Sequence, residues 1–395
     1  MNTTPEFQTP DDFSLVQGGP LFQLFIRSHL ATTGLELLHR RILFFALLTW
    51  LPLLLLSAVS GHLLESSVNV PFLYDLETHV RFLVALPLLL VAELLVHQRM
   101  RLVVRQFIER GIISAQTRPR FDACIVSALR LRNSVWLEAG LIMFILGYHF
   151  IWDKLITLDT TIWYANGIAS EQHLNLAGYW LVYISIPIFQ FLLFRWLLRI
   201  IVWTRFLWQV ARLDLYLVPT HPDKAGGLGF LAGSAAAFMP LTLSLGTLLS
   251  AMIAQRIFYE GAKLLEFKPE IAASVAVMLL IILGPLCVFA GHLARTKREG
   301  LMRYGKLATR YVTEFEQKWL EGGASADEAF VGTGDIQSLA DLNNSFEIIP
   351  AMRLFPFDKG VVLQIAATVL LPVLPLALTL ISLEELAQKI IGILL

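Results

Sequence analysis

The segment Pro219-Thr220-His221-Pro222-Asp223-Lys224-Ala225-Gly226-Gly227-Leu228-Gly229 gathers an imidazole, a carboxylate, an amine and three glycines within one short loop. Successive N–H groups in a glycine-rich turn can cradle an anion, and a helix starting there adds positive potential. His221 and Asp223 are candidates to bind a cation or relay a proton. Lys224, Gly226 and Gly227 complete a candidate binding or gating loop over 219–229. A structural reading competes. Thr220-x-x-Asp223 fits a capping box, and Gly229, Gly233 and Ala237 form a small-residue stripe for helix packing.

Charges inside apolar stretches give a second candidate. Glu93, Glu138 and Arg195 each fall about one turn from the same end of an apolar run, which places them at similar depth. Ionisable groups at that depth are costly and face the interior of a bundle, so a Glu–Arg–Glu cluster is expected beneath the loop. The competing reading lets Arg195 snorkel to headgroups while the two Glu end their helices. Thr242, Gly246 and Ser250 share one helix face at i, i+4 and i+8. With Pro240 freeing a carbonyl nearby, they are candidates to line a path, against a reading as a tightly packed central helix. There is no Gly-x-Ser-x-Gly, no His-Glu-x-x-His and no Walker loop, so no catalytic residue, metal ligand or cofactor is assigned.

These residues must be held by membrane helices. The 395-residue chain is 56% hydrophobic and 16% charged, with 26 Phe and 9 Trp. Its mean hydropathy is +0.65. Soluble domains are nearer 45–50% apolar and about 25% charged, so a soluble, disordered or disulfide-scaffold protein is excluded. Lys+Arg and Asp+Glu balance at 31 each, and no free basic domain points to nucleic acid. Cys124 and Cys287 are not expected to pair. The first residues, MNTTPEFQTPDDF, lack the basic-then-apolar pattern of a cleavable signal peptide.

Seven stretches approach the ~20 apolar residues a spanning helix needs. They are Ile42–Ser60, Phe82–Val96, Val135–Ile151, Trp180–Leu198, Leu228–Ala254, Ile271–Leu293 and Val361–Leu383. With the N-terminus inside, 25 of the 31 Lys/Arg fall in inside segments. Arg81, Lys154, Arg256, Lys263, Lys268 and Lys389 fall outside. The expected fold is therefore all-α: a polytopic helical membrane protein with about seven transmembrane helices, a cytoplasmic N-terminus and helical cytoplasmic extensions.

The resulting organisation has a cytoplasmic segment over 1–41 and six helices over 42–293, interrupted by the basic loop 97–133 and the loop 219–229. A cytoplasmic helical extension and loop follow over 294–360, then a seventh helix and tail over 361–395. Eight Arg in 97–133 suit anionic lipid, and Pro119 is expected to start a helix running on into the third span. Leu301, Tyr304, Ala308, Tyr311, Phe315 and Trp319 recur at helical spacing, so 294–321 reads as an amphipathic helix. Its stripe would be buried by the 97–133 hairpin, by a helix around Ser338–Met352, or by a second copy. Outside, Trp163 and Tyr164 suit a membrane interface. Six spans contain proline, and no internal repeat is evident.

The Thr220–Leu231 stretch and the Asp335–Phe346 stretch, DIQSLADLNNSF, resemble segments of a family of uncharacterised bacterial inner-membrane proteins. That resemblance implies a multi-pass location in the bacterial inner (cytoplasmic) membrane and carries no activity. The function expected is a channel or transporter for an ion or small solute, gated or binding at the cytoplasmic side. Its expected partners are the lipid bilayer, further copies of itself and a possible ion or small anionic ligand. Two other readings remain: a membrane-embedded scaffold or sensor docking cytoplasmic partners, and an enzyme acting at the lipid interface.

Overall fold

Backbone groups in lipid have no partner but the chain itself, so long apolar runs close their hydrogen bonds as helices. The computed structural model describes residues 13–28, 37–64, 70–152, 163–166, 173–325, 327–329 and 332–380, with the side chains of 149–152 excepted. The described residues are 77% helical. We number the helices α1 (Pro20–Arg27), α2 (Leu38–Val59), α3 (Leu76–Glu109), α4 (Arg118–Arg132), α5 (Val135–Trp152) and α6 (Leu176–Val210). They continue as α7 (Leu228–Ala237), α8 (Met239–Glu260), α9 (Leu264–Trp319), α10 (Gly334–Ile348) and α11 (Lys359–Leu380). A two-residue hairpin, Ala165–Asn166 with His173–Leu174, is the only strand pair among the described residues.

Six of these helices, α2, α3, α6, α8, α9 and α11, are long and apolar enough to cross a membrane. The protein is a multi-pass helical membrane protein. Large apolar side chains such as Val59, Leu280 and Leu363 lie exposed on the outer surface, where lipid rather than water is the compatible solvent. The sequence suggests seven spans. The third stretch does form a helix, α5, but its described side chains end at Tyr148 and it is not among the six. The tail beyond residue 380 lies outside the described residues.

Three expectations about helix boundaries change. The stretch from Leu228 to Ala254 divides at Phe238, because Pro240 sits in the first turn of α8. The helix started at Pro119 does not run on into α5: it stops at Asn133, whose side-chain oxygen accepts from Gly19 N–H at 3.1 Å. Trp163 does not face outward. It is fully buried and donates to Asp75 Oδ2 at 2.9 Å.

The helices α3 and α6 are built to one plan. Asp75 caps α3 by accepting from Thr78 N–H at 3.1 Å, and Asn175 caps α6 by accepting from Gly178 N–H at 2.8 Å. A five-residue α-turn follows in each, then a five-residue π-helical turn, Arg81–Ala85 and Leu181–Ser185. Pro87 or Pro187 then opens the long remainder. Asn175 Nδ2 also donates to the Trp163 carbonyl at 2.8 Å, so Trp163 ties the two caps together. Beside them, α2 packs on α3 and α5 packs on α6. Two similar hairpins, α2–α3 and α5–α6, thus lie side by side. Their sequences share little beyond the proline, which is why no repeat was legible.

The amphipathic helix expected at 294–321 is the second part of α9. Its stripe meets α10: Tyr311 Oη donates to the Asp335 carbonyl at 3.1 Å, and Lys318 and Trp319 each reach Asp335 Oδ2 at 2.9 Å.

Candidate functional site: a buried arginine–glutamate cluster

Glu93 and Glu138 come from different hairpins, and each meets cations from the neighbouring helices. Glu93 Oε2 accepts from Arg41 Nη1 at 2.6 Å, and its Oε1 accepts from Arg199 Nη2 at 2.6 Å. Arg195 Nη1 stands 3.7 Å from Glu93 Oε1, and Arg195 Nε donates to Glu138 Oε1 at 3.2 Å. All five side chains are buried. The expected Glu93–Arg195–Glu138 grouping is therefore present, enlarged by Arg41 and Arg199.

One of the two additions carried a signal in the sequence. Arg199 follows Arg195 by four residues and so shares its helix face. Arg41 ends the 1–41 segment at the edge of the first apolar run, yet it is fully buried. Packing of α2 onto α3 turns it inward.

The chain ahead of α1 closes over this cluster. Phe13, Leu15 and Val16 are buried against the helices. The Ser14 carbonyl accepts from Arg132 Nη1 at 2.5 Å, and the Gly18 carbonyl accepts from Arg195 Nη2 at 3.4 Å. Glu138 Oε2 accepts from Leu21 N–H at 3.0 Å, so this carboxylate also serves the free donors at the start of α1. His97 Nδ1 lies 2.9 Å from Ser14 Oγ, and its Nε2 lies 3.1 Å from Gln17 Nε2. Gly19, at φ +83°, fits because a Cβ there would stand 2.6 Å from Glu138 Oε1.

The 219–229 loop has a different architecture. Asp223 Oδ1 accepts from Ala225 N–H at 2.8 Å and Gly227 N–H at 3.1 Å, while Oδ2 accepts from Gly229 N–H at 2.8 Å. The glycine-rich nest does form, and the chain's own carboxylate fills it. Asp223, rather than Thr220, is the organising cap. Burial raises the Asp223 carboxyl, but the N–H donors of Ala225, Gly229 and Gly227, with His221 behind them, hold it below the usual carboxylate range.

His221 Nδ1 stands 2.8 Å from Asp223 Oδ1. Lys224 takes a left-handed conformation at φ +54°, as do Gly226 and Gly227. The carbonyls of Asp223 and Lys224 accept from Arg353 Nη2 and Arg353 N–H, each at 2.7 Å. Gly300 of α9 packs on Pro219 so tightly that a Cβ would stand 2.6 Å from the ring. The loop thus fastens α9 and the chain before α11 to the bundle. Among the described residues it forms a network separate from Glu93, Glu138 and Arg195.

Thr242, Gly246 and Ser250 face α11. Thr242 Oγ1 and Thr368 Oγ1 lie 2.7 Å apart, Ser250 Oγ donates to the Pro372 carbonyl at 2.6 Å, and Gly246 admits the Val369 carbonyl where any Cβ would overlap it. Their shared face is a helix–helix contact, with Gly246 setting the close approach. Among the described residues no group of three or more His, Cys, Asp or Glu is placed to hold a metal ion.

Compared with protein-family models, curated proteins and solved structures, the chain finds no match.

Proposed function

We propose that the protein is a membrane-embedded conduit, a channel or transporter for an ion or small solute, and that the buried arginine–glutamate cluster is its ligand site. The observation that carries this reading is the burial of five charges, linked in one chain of ion pairs, where the two similar hairpins meet. Desolvating such groups costs several kcal/mol each, roughly, so they are a poor route to stability and a common mark of an ion or solute path. The reading keeps the N-terminus cytoplasmic in a bacterial inner membrane, on the arginine-rich side. There the 13–19 segment would cover the site, and the 219–229 loop would brace the helices around it.

Flux of anions, cations and protons into liposomes holding the purified protein tests the proposal. Flux above empty liposomes supports it. No flux across the panel, from protein shown to be folded, rejects it in favour of a second reading. In that reading the α9–α10 hairpin, which leaves Met302, Leu307 and Leu320 exposed, is a docking platform for a partner or for another copy of the chain.

A further inference from the structure

We propose that the cavity beside Arg132, Arg195 and Arg199 is a binding site for one small monovalent inorganic anion, of the size of chloride. The inference rests on the reading of the cluster as a ligand site and gives that site a charge sign and a size.

Charge supplies the first argument. Among the described residues the cluster holds four guanidiniums, Arg41, Arg132, Arg195 and Arg199, against two carboxylates, Glu93 and Glu138. Glu93 is shared by three of the cations, and Glu138 is engaged by Arg195 and by Leu21 N–H. Among the described residues Arg132 donates to neutral oxygens, those of Ser14 and Asn133. Arg41 is fully buried, and its Nε and Nη2 find no hydrogen-bond partner among the described residues. Three buried cations, Arg41, Arg195 and Arg199, with the half-buried Arg132 beside them, outnumber two carboxylates, which is unfavourable unless another negative group joins them.

The cavity supplies the second argument. It measures about 30 Å³ and is lined by the side chains of Arg132, Arg195, Arg199 and Glu138, with Leu15 and Gly18 of the N-terminal segment as a wall. That is about the room of one or two waters. Its inner space has room for a halide or a comparably small ion, and a larger organic acid fits it poorly. Arg132 experiences the same imbalance: burial first, then the cations Arg199 and Arg195, push its guanidinium down to about 10. A bound anion would relieve that repulsion.

The experiment is thermal unfolding of the purified full-length protein in detergent. Chloride or bromide replaces gluconate, which fits the cavity poorly, at constant ionic strength. Wild type should show a saturable rise in Tm with halide, following the mass action of a ligand that binds only the folded state. Arg132→Gln removes a cation. Val202→Met, at the cavity wall, fills the space and keeps every charge. Both should abolish the halide-specific rise.

No rise in wild type, or an equal rise in the Val202→Met protein, would overturn the proposal. Should Arg132→Gln fail to fold, Val202→Met decides alone. Halide binding without flux in liposomes would sink the conduit and keep the anion site. Flux without halide binding would do the reverse.

Discussion

Glu93 Oε1 accepts from Arg199 Nη2 at 2.6 Å where α3 meets α6. Each helix of that pair starts on an Asx cap and passes through a π-helical turn before its proline. The far ends of the pair are joined through Trp163 and the near ends through charge. Each hairpin brings one glutamate, with the order reversed: Arg41 then Glu93 on α2–α3, and Glu138 then Arg195 and Arg199 on α5–α6. The cross-contacts of Arg195 and Arg199 to Glu93 therefore lock one hairpin to the other.

Removing the carboxylate that serves three cations should cost most. Glu93→Gln strands Arg41 and Arg199 and leaves Arg195 with Glu138 alone, and breaking a buried pair from one side costs about 3–5 kcal/mol. Glu138→Gln leaves one arginine and one backbone N–H short of charge, so its loss should be smaller. Denaturant titration of both variants beside wild type checks the order. Equal losses would mean that Glu93 does not organise the cluster.

Asp223 should behave as a structural carboxylate. Asp223→Ala leaves three backbone donors unmet, at about 1–3 kcal/mol for each one that water does not reach. Its folded pKa is depressed, so its stabilisation is present above the unfolded value of about 3.9 and is lost as pH falls below it. The Tm gap between wild type and Asp223→Ala should thus be full at neutral pH and close on acidification below about 4. A gap independent of pH would refute the carboxylate's role.

The contrast between these two sites marks what the sequence disclosed. Glu93, Glu138 and Arg195 were legible because intramembrane charge is rare and depth can be counted along an apolar run. Arg41 and Arg132 were not, because a cation flanking a span has two fates, headgroup or interior, and tertiary packing alone decides between them. The nest over 225–229 was legible from its glycines. Its filling by Asp223 was not, since spacing does not reveal whether a nearby carboxylate folds back. The six long apolar helices followed from composition. The matching design of α3 and α6 was hidden because helix geometry needs only the cap and the proline.

Gly246 should tolerate nothing larger. Gly246→Val drives a side chain into the Val369 carbonyl and must push α8 from α11, costing about 1–3 kcal/mol by overpacking. A small-residue contact of this kind carries no charge, so the lowered Tm should not vary with pH between 5 and 9 (roughly the range in which no carboxylate titrates). An unchanged Tm would show that the two helices are not held at that distance.

Gly19→Ala should act on the cluster from the N-terminal side. The added Cβ meets Glu138 Oε1, and φ +83° disfavours any side chain. The 13–19 segment should lift from Arg132 and Arg195, seen as faster amide exchange over those residues while the α8–α11 contact keeps its protection. Unaltered exchange would mean that the segment is not anchored through Glu138.

The central claim, that the cluster is the ligand site of a conduit, is tested most directly by flux in liposomes with wild type and Arg132→Gln prepared side by side. Among the described residues Arg132 pairs with no carboxylate, so its removal strands no counter-charge there. The account predicts halide flux by wild type and at least a tenfold loss in Arg132→Gln protein that unfolds at a normal temperature, about 1.4 kcal/mol in site affinity or barrier. Equal flux from the two proteins would remove the cluster from the path.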